Sequence, residues 1–172
     1  MSARYIFDTA CKVIKKYNTR DPYELLVRMG AVVNESSSFD KLKGCCFYAN
    51  RTSYVIYNGK LGEYEKRVVL AHEAAHLILH KASLKASPIK EISLYGAENL
   101  LEYEANMFAA DFLIPDEAVT EILDRYDIFE MSRKLYISHE LLLFKLTSMN
   151  KRGYGFTLSD EINSSFLKKG DI

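Results

Sequence analysis

Val68 to His80 reads VVLAHEAAHLILH, a run free of Gly and Pro that carries two histidines, His72 and His76, four residues apart. Such a run has few folds open to it. Followed back to Glu63, its apolar residues Tyr64, Val68, Ala71, Ala75 and Ile78 recur at spacings of four and three, the period of an α-helix with one face on a core. Residues four apart on a helix stand one above the other, with Cβ atoms about 5–6 Å apart. The imidazoles of His72 and His76 can therefore meet at one point. With metal–nitrogen bonds of about 2.0–2.1 Å, that point suits a single zinc ion, and Glu73, one residue on from His72, is placed to act as a base toward a water there. The competing reading is a buried helix whose histidines only hydrogen-bond.

A hydrolytic zinc takes three protein ligands and leaves its fourth position to water. His80 lies eight residues past His72, about 12 Å along a continuous helix, too far to share the ion. It is expected to decorate the helix C-terminus, partly cationic against the exposed carbonyls. The next helical pattern, residues 97–113, has an apolar stripe of Leu101, Ala105, Phe108 and Phe112, and Pro115 marks its stop. Two carboxylates compete within it. Glu102 shares a face with Ala105, Asn106 and Ala109, so it can enter a tight cleft beside the first helix while Asn106, one turn on, orients a ligand histidine. Glu104 projects about 200° away around the helix and is expected to be a solvated or capping carboxylate. Glu102 is the preferred third ligand, with Glu104 the runner-up.

The series VVLAHEAAHLILH, followed some twenty residues later by EYEANMFAADFLIP, resembles the ImmA/IrrE family of zinc metallopeptidases. The likeness covers both motif helices and, more weakly, about Tyr23 to Pro115. It implies Zn2+ as cofactor, His72, His76 and Glu102 as metal ligands and Glu73 as the catalytic residue. Ala75 stands where relatives usually have Gly, and Arg67-Val68 where they often have Arg-Phe. The resemblance further implies a zinc-dependent, site-specific metalloendopeptidase that cleaves a helix-turn-helix transcriptional repressor of a phage or mobile genetic element. The alternative is a non-catalytic zinc-fold regulator that binds a repressor or DNA, although a pure binder has no need of the base in HExxH. Side-chain chemistry offers Tyr95, Tyr103 and His139 as donors to the oxyanion of peptide hydrolysis.

With 172 residues, 48% hydrophobic and 27% charged, the chain is long enough to bury a proper core. Residues 1–17 carry Arg4, Asp8, Lys12, Lys15 and Lys16, with Ile6, Ala10, Val13 and Tyr17 at helical spacing, which reads as an amphipathic helix and not a secretory leader. No apolar run approaches the roughly 18 residues of a membrane span, so a soluble, cytoplasmic protein without membrane contact is expected. Cys11, Cys45 and Cys46 lack C-x-x-C spacing and read as reduced, the latter two as small core filling in a strand.

Helices come first, then a short β layer, then helices again. The class is α+β, with a small antiparallel-containing three-stranded sheet packed against a helical core, zincin-like by resemblance, and C-terminal helices. Asp21-Pro22 opens a helix that stops at Gly30, and residues 31–34, 44–49 and 53–58 are strand candidates. Tyr54 to Tyr57 is the candidate edge for a substrate strand, with a closed structural hairpin as its alternative. Residues 81–96 are polar and poorly periodic, either a lid or a connector. The peptidase core is expected over 1–115 and a helix-turn-helix-like region over 116–172, with helices at 116–125, 130–136 and from Ser138 to Met149. Residues 131–172 carry seven basic and four acidic side chains on a chain of net charge zero, short of the patch that phosphate binding needs. Packing or docking of a partner is the expected role, and direct nucleic-acid binding is not.

Overall fold

Helix α1 (Ala3–Tyr17) starts where the Ser2 hydroxyl accepts the Tyr5 N–H and ends at Asn18, held at φ 48°. Its Ile6 and Ala10 face the core. Asp21 then caps α2 (Pro22–Arg28) by accepting the Glu24 N–H at 2.7 Å, with Pro22 at the position where a missing N–H costs nothing. Leu25 and Leu26 are buried, and Gly30 takes φ 78° to release the chain into β1 (Val32–Ser36). The structure, a computed structural model, describes residues 1–86, 89–91 and 99–156.

β2 (Gly44–Ala49) and β3 (Thr52–Asn58) form a hairpin whose two turn residues, Asn50 and Arg51, both adopt positive φ, at 50° and 63°. That twist matches the twist of paired strands. β1 runs parallel to β3, with Val32 opposite Tyr54. Helix α3 (Glu63–Leu79) follows, then α4 (Lys81–Ala86) and a short strand β4 (Ile89–Glu91), antiparallel to β2. The sheet order is β1-β3-β2-β4.

The α+β class and the mixed sheet are as expected, with two differences. Part of the stretch read as lid or connector is ordered as α4 and β4, adding a fourth strand; residues 87–88 and 92–98 lie outside the described residues. And β3, proposed as the substrate edge, is enclosed between β1 and β2, so the outer strands are β1 and β4. Strand order depends on which distant segments pair, which local alternation does not encode.

Helix α3 is buried on all sides from Val68 to Leu77. The sheet covers one side, and α5 (Leu100–Leu113) covers another. Asn99 caps α5, its side-chain oxygen accepting the N–H groups of Leu101 and Glu102 at 2.9 and 3.1 Å. Fully buried Ala71, Ala74 and Ala75 on α3 and Ala105 and Ala109 on α5 keep bulk out of this part of the core, which lets helix axes approach closely.

Beyond Pro115 the expected helix to Arg125 is shorter: α6 (Asp116–Thr120) tightens into turns, with Ile122 N–H bonded to Val119 and Arg125 N–H to Ile122, three residues back. α7 (Ile128–Lys134) opens with an Asp127–Glu130 capping box, and α8 (His139–Lys151) with Ser138 accepting the Leu141 N–H. α8 is buried from Leu141 to Leu146 and again at Ser148 and Met149. Among the described residues no helix is long and apolar enough to cross a membrane.

An ionic cluster fastens α8 to α5 and α6. The fully buried Lys145 amine lies 2.9 Å from Asp111 and 2.6 Å from Asp116, Ser148 donates to Asp111 at 2.6 Å, and Arg152 grips Asp116 with two nitrogens at 2.7 and 2.9 Å. Burial alone would raise the Asp116 carboxyl, but the hydrogen bonds from Arg152 and Lys145 prevail and bring it down to about 2. Because folding lowers this pKa, the carboxylate's stabilising effect is complete above its unfolded value of about 3.9 and is lost as pH falls through about 2. Asp116→Asn is therefore expected to flatten the acid limb of the stability profile between those values, read by thermal unfolding against pH. Lys145→Met leaves two carboxylates without their shared cation and is expected to lower the unfolding free energy by about 3–5 kcal/mol, read from urea denaturation.

Candidate metal centre

The two histidines of α3 and the first glutamate of α5 converge. His72 Nε2 lies 3.0 Å from His76 Nε2 and 3.0 Å from Glu102 Oε2, and His76 Nε2 lies 3.6 Å from that same oxygen. A tetrahedral ion with bonds of about 2.0–2.1 Å holds its ligand atoms about 3.3–3.4 Å apart. The three separations straddle that distance, so the donor set fits one small cation. His72 and His76 are buried, while Glu102 keeps 16% of its side chain exposed and leaves the cluster open on that side. Burial pushes the Glu102 carboxyl up, but the imidazoles of His72 and His76 turned on it outweigh this and hold it well below the usual carboxylate range. Burial also lowers the pKa of His76.

Each ring is held from behind. His72 Nδ1 meets Asn106 Oδ1 at 3.0 Å, and an amide oxygen only accepts, so this nitrogen carries the proton and Nε2 is left to face the cluster. His76 Nδ1 meets His80 Nδ1 at 3.0 Å, and His80 Nε2 meets Glu104 Oε2 at 2.9 Å. His80 does end α3, but it is buried rather than decorating the surface. Burial, aided by the neighbouring His76, lowers its pKa to about 4, so the expected partial charge is absent at neutral pH. Glu104 likewise is not solvated: it is buried against His80, with the Met1 amino group on its other oxygen.

Glu73 is fully buried on the sheet side of α3. The Cys46 thiol lies beside it; burial first, then the Glu73 charge, push this thiol far up, so it stays protonated. Gly44, two residues before on the same strand face, completes the seat: a Cβ built there would stand 2.7 Å from Glu73 Oε1 and 2.7 Å from Val69 Cγ1. Only glycine leaves room for the carboxylate.

Residues 28–147, from the end of α2 through most of α8, match the Peptidase_M78 family, the IrrE N-terminal-like domain. The chain belongs to this family. Peptidase_M78 is a metallopeptidase family, in keeping with a set of ligand-type atoms that could hold a metal ion. A relative, "uncharacterized immunity region protein 2" of Bacillus phage phi105, is 33% identical over 110 residues, 64% of this chain and 68% of that protein.

In this Peptidase_M78 chain the structure brings together His72, His76 and Glu102, with Glu73 on the same helix, and gives the runner-up Glu104 to His80 instead. Of the oxyanion candidates, Tyr95 lies outside the described residues. The Tyr103 hydroxyl accepts from Lys151 at 3.0 Å, and His139 stands exposed at the start of α8 beside Glu140 and Phe129, so both are engaged elsewhere. The sequence reading gave His80, Glu104, Gly44 and Cys46 other roles or none. His80 extends the 72, 76 ladder by one more turn, and Gly44 and Cys46 are small residues two apart in a strand, each a legible signal; Glu104 carried none on its own. Gly44→Ala is expected to displace Glu73 and Val69 and to cost about 1–3 kcal/mol in urea unfolding, with the shift visible in a crystal structure.

Proposed function

We propose that this chain is a zinc-dependent, site-specific metalloendopeptidase that cleaves a helix-turn-helix transcriptional repressor of a phage or mobile genetic element. The observation that carries the reading is the meeting of His72, His76 and Glu102 from two helices, beside a buried Glu73 and behind a partly exposed rim at Glu102. The two Nε2 atoms and a Glu102 oxygen would hold the ion. Zinc supplies Lewis acidity, polarising a scissile carbonyl and bringing the pKa of a water toward about 7. Glu73 takes a proton from the attacking water and delivers it to the leaving amine. Its seat between Gly44 and the Cys46 thiol keeps the carboxylate from swinging to other rotamers. Asn106 holds His72 in the tautomer that turns a lone pair inward.

An extended substrate is best received on the outer edge of β4. Glu91 of β4 pairs with Gly44, which itself abuts Glu73, so a strand added there runs close to the base. Residues 1–115 carry every group named in this scheme, and 116–172 support that core or dock a partner. The substrate class is favoured by the phage immunity-region name of the relative, and the cytoplasm is where such a repressor resides.

Zinc-loaded protein incubated with the helix-turn-helix repressor encoded beside it is expected to make one discrete cut. Glu73→Gln is expected to retain one zinc per chain and to slow the cut about 10²–10⁴-fold. Undiminished cutting by this variant would remove Glu73 from its role, and a stable, uncut complex with the wild type would favour a regulator that binds without hydrolysis.

A further inference from the structure

Behind the metal cluster lie two polar side chains that ligation does not use, His80 and Glu104, 3% and 2% exposed. Burying an imidazole and a carboxylate is costly unless each is bonded. They are bonded in series: Glu104 Oε2 to His80 Nε2 at 2.9 Å, and His80 Nδ1 to His76 Nδ1 at 3.0 Å. The order of these contacts has a consequence for His76. Glu104, with the Met1 amino group on its other oxygen, reads as a carboxylate, which only accepts, so His80 Nε2 carries the proton. A neutral imidazole has one N–H, so His80 Nδ1 accepts, and His76 Nδ1 has to donate to it. His76 Nε2 is then left with its lone pair, 3.0 Å from His72 Nε2 and 3.6 Å from Glu102 Oε2.

We propose that Glu104, acting through His80, is a positioning device that selects the His76 tautomer able to ligate metal. The proposal rests on the metal-centre reading given above. His72 obtains the same result in one link, because Asn106 Oδ1 reaches its Nδ1 directly from α5. His76 obtains it in two, with His80 as the spacer one turn further along α3. Without the pair, the two tautomers of His76 would exchange, and one of them points a proton at the ion. Neither residue touches substrate or the reacting atoms.

The test uses the full chain and has a readout that needs no metal. Imidazole nitrogen NMR of the metal-free protein is expected to show a proton held on His76 Nδ1. His80→Phe removes the acceptor, and Glu104→Gln brings an amide that can donate to His80 as well as accept; both are expected to give mixed tautomers. Zinc affinity, titrated with zinc chloride against a chelator, is expected to fall about 10–100-fold in each. His80→Gln, whose amide oxygen can accept the His76 proton as Asn106 does for His72, is expected to recover most of that loss. The near-isosteric Glu104→Gln keeps the test available should His80→Phe fail to fold. An Nε2–H tautomer in the wild type, or unchanged tautomer and zinc affinity in both variants, would overturn the proposal and leave the pair as a structural tie. Wild-type protein that takes up no zinc would overturn the metal reading itself, a distinct outcome from zinc held equally by wild type and variants.

Discussion

The close approach of α3 to α5 is the constraint on which the remainder depends. One helix brings two imidazoles and the other a carboxylate, and their three ligand-type atoms come within 3.6 Å only because the axes lie near each other. Alanines at 71, 74, 75, 105 and 109 make that approach possible. Their methyl groups bury little area apiece, so local apolar packing is traded for proximity. The larger core residues sit to either side, among them Phe108 and Phe112 in the core shared with α1 and α2, and Phe144, Leu141 and Met149 of α8 in the second core.

Once two helices are this close, the polar groups buried between them need partners. The structure meets that demand with pairs that also orient the site. Asn106 backs His72, His80 and Glu104 back His76, and the Cys46 thiol backs Glu73. The same logic operates at the other end of α5, where Asp111 and Asp116 are neutralised by Lys145 and Arg152 from α8 and its C-cap. Arg20, from the loop before α2, donates to the carbonyl of Phe112 at 2.8 Å and satisfies that helix end as well. α5 is thereby held at both ends, which keeps Glu102 from drifting with respect to α3.

Local signals in the chain were read well where they are strictly local. Asp21 and Ser138 sit at helix caps that their side chains favour. The i, i+4 spacing of His72 and His76 becomes a shared focus through helix geometry alone, and the Glu102–Asn106 pair follows from the same period. Misreadings arose where burial is decided from outside the segment. Glu104 looked solvated because its helix-wheel position opposes Glu102, yet His80 covers it. His80 looked like a surface cap, but burial lowers its pKa to about 4. The stretch 116–125 looked like one helix, and Val119, Ile122 and Leu123 do share a face on the second core, but beyond Thr120 the backbone tightens into turns bonded three residues back.

The amino-acid order by itself determined most of the helices with their caps, the hairpin turn and the i, i+4 histidine pair, because each depends on contacts no more than about four residues apart. What only the tertiary structure decided is the order of the strands, which puts β3 inside and β4 outside, and the company that each buried polar atom keeps. Those outcomes depend on pairings between segments distant in the chain, such as Gly44 with Glu91, His80 with Glu104 and Ser148 with Asp111. Such contacts form only when burial offsets the chain entropy of bringing distant segments together, and no local pattern carries that balance.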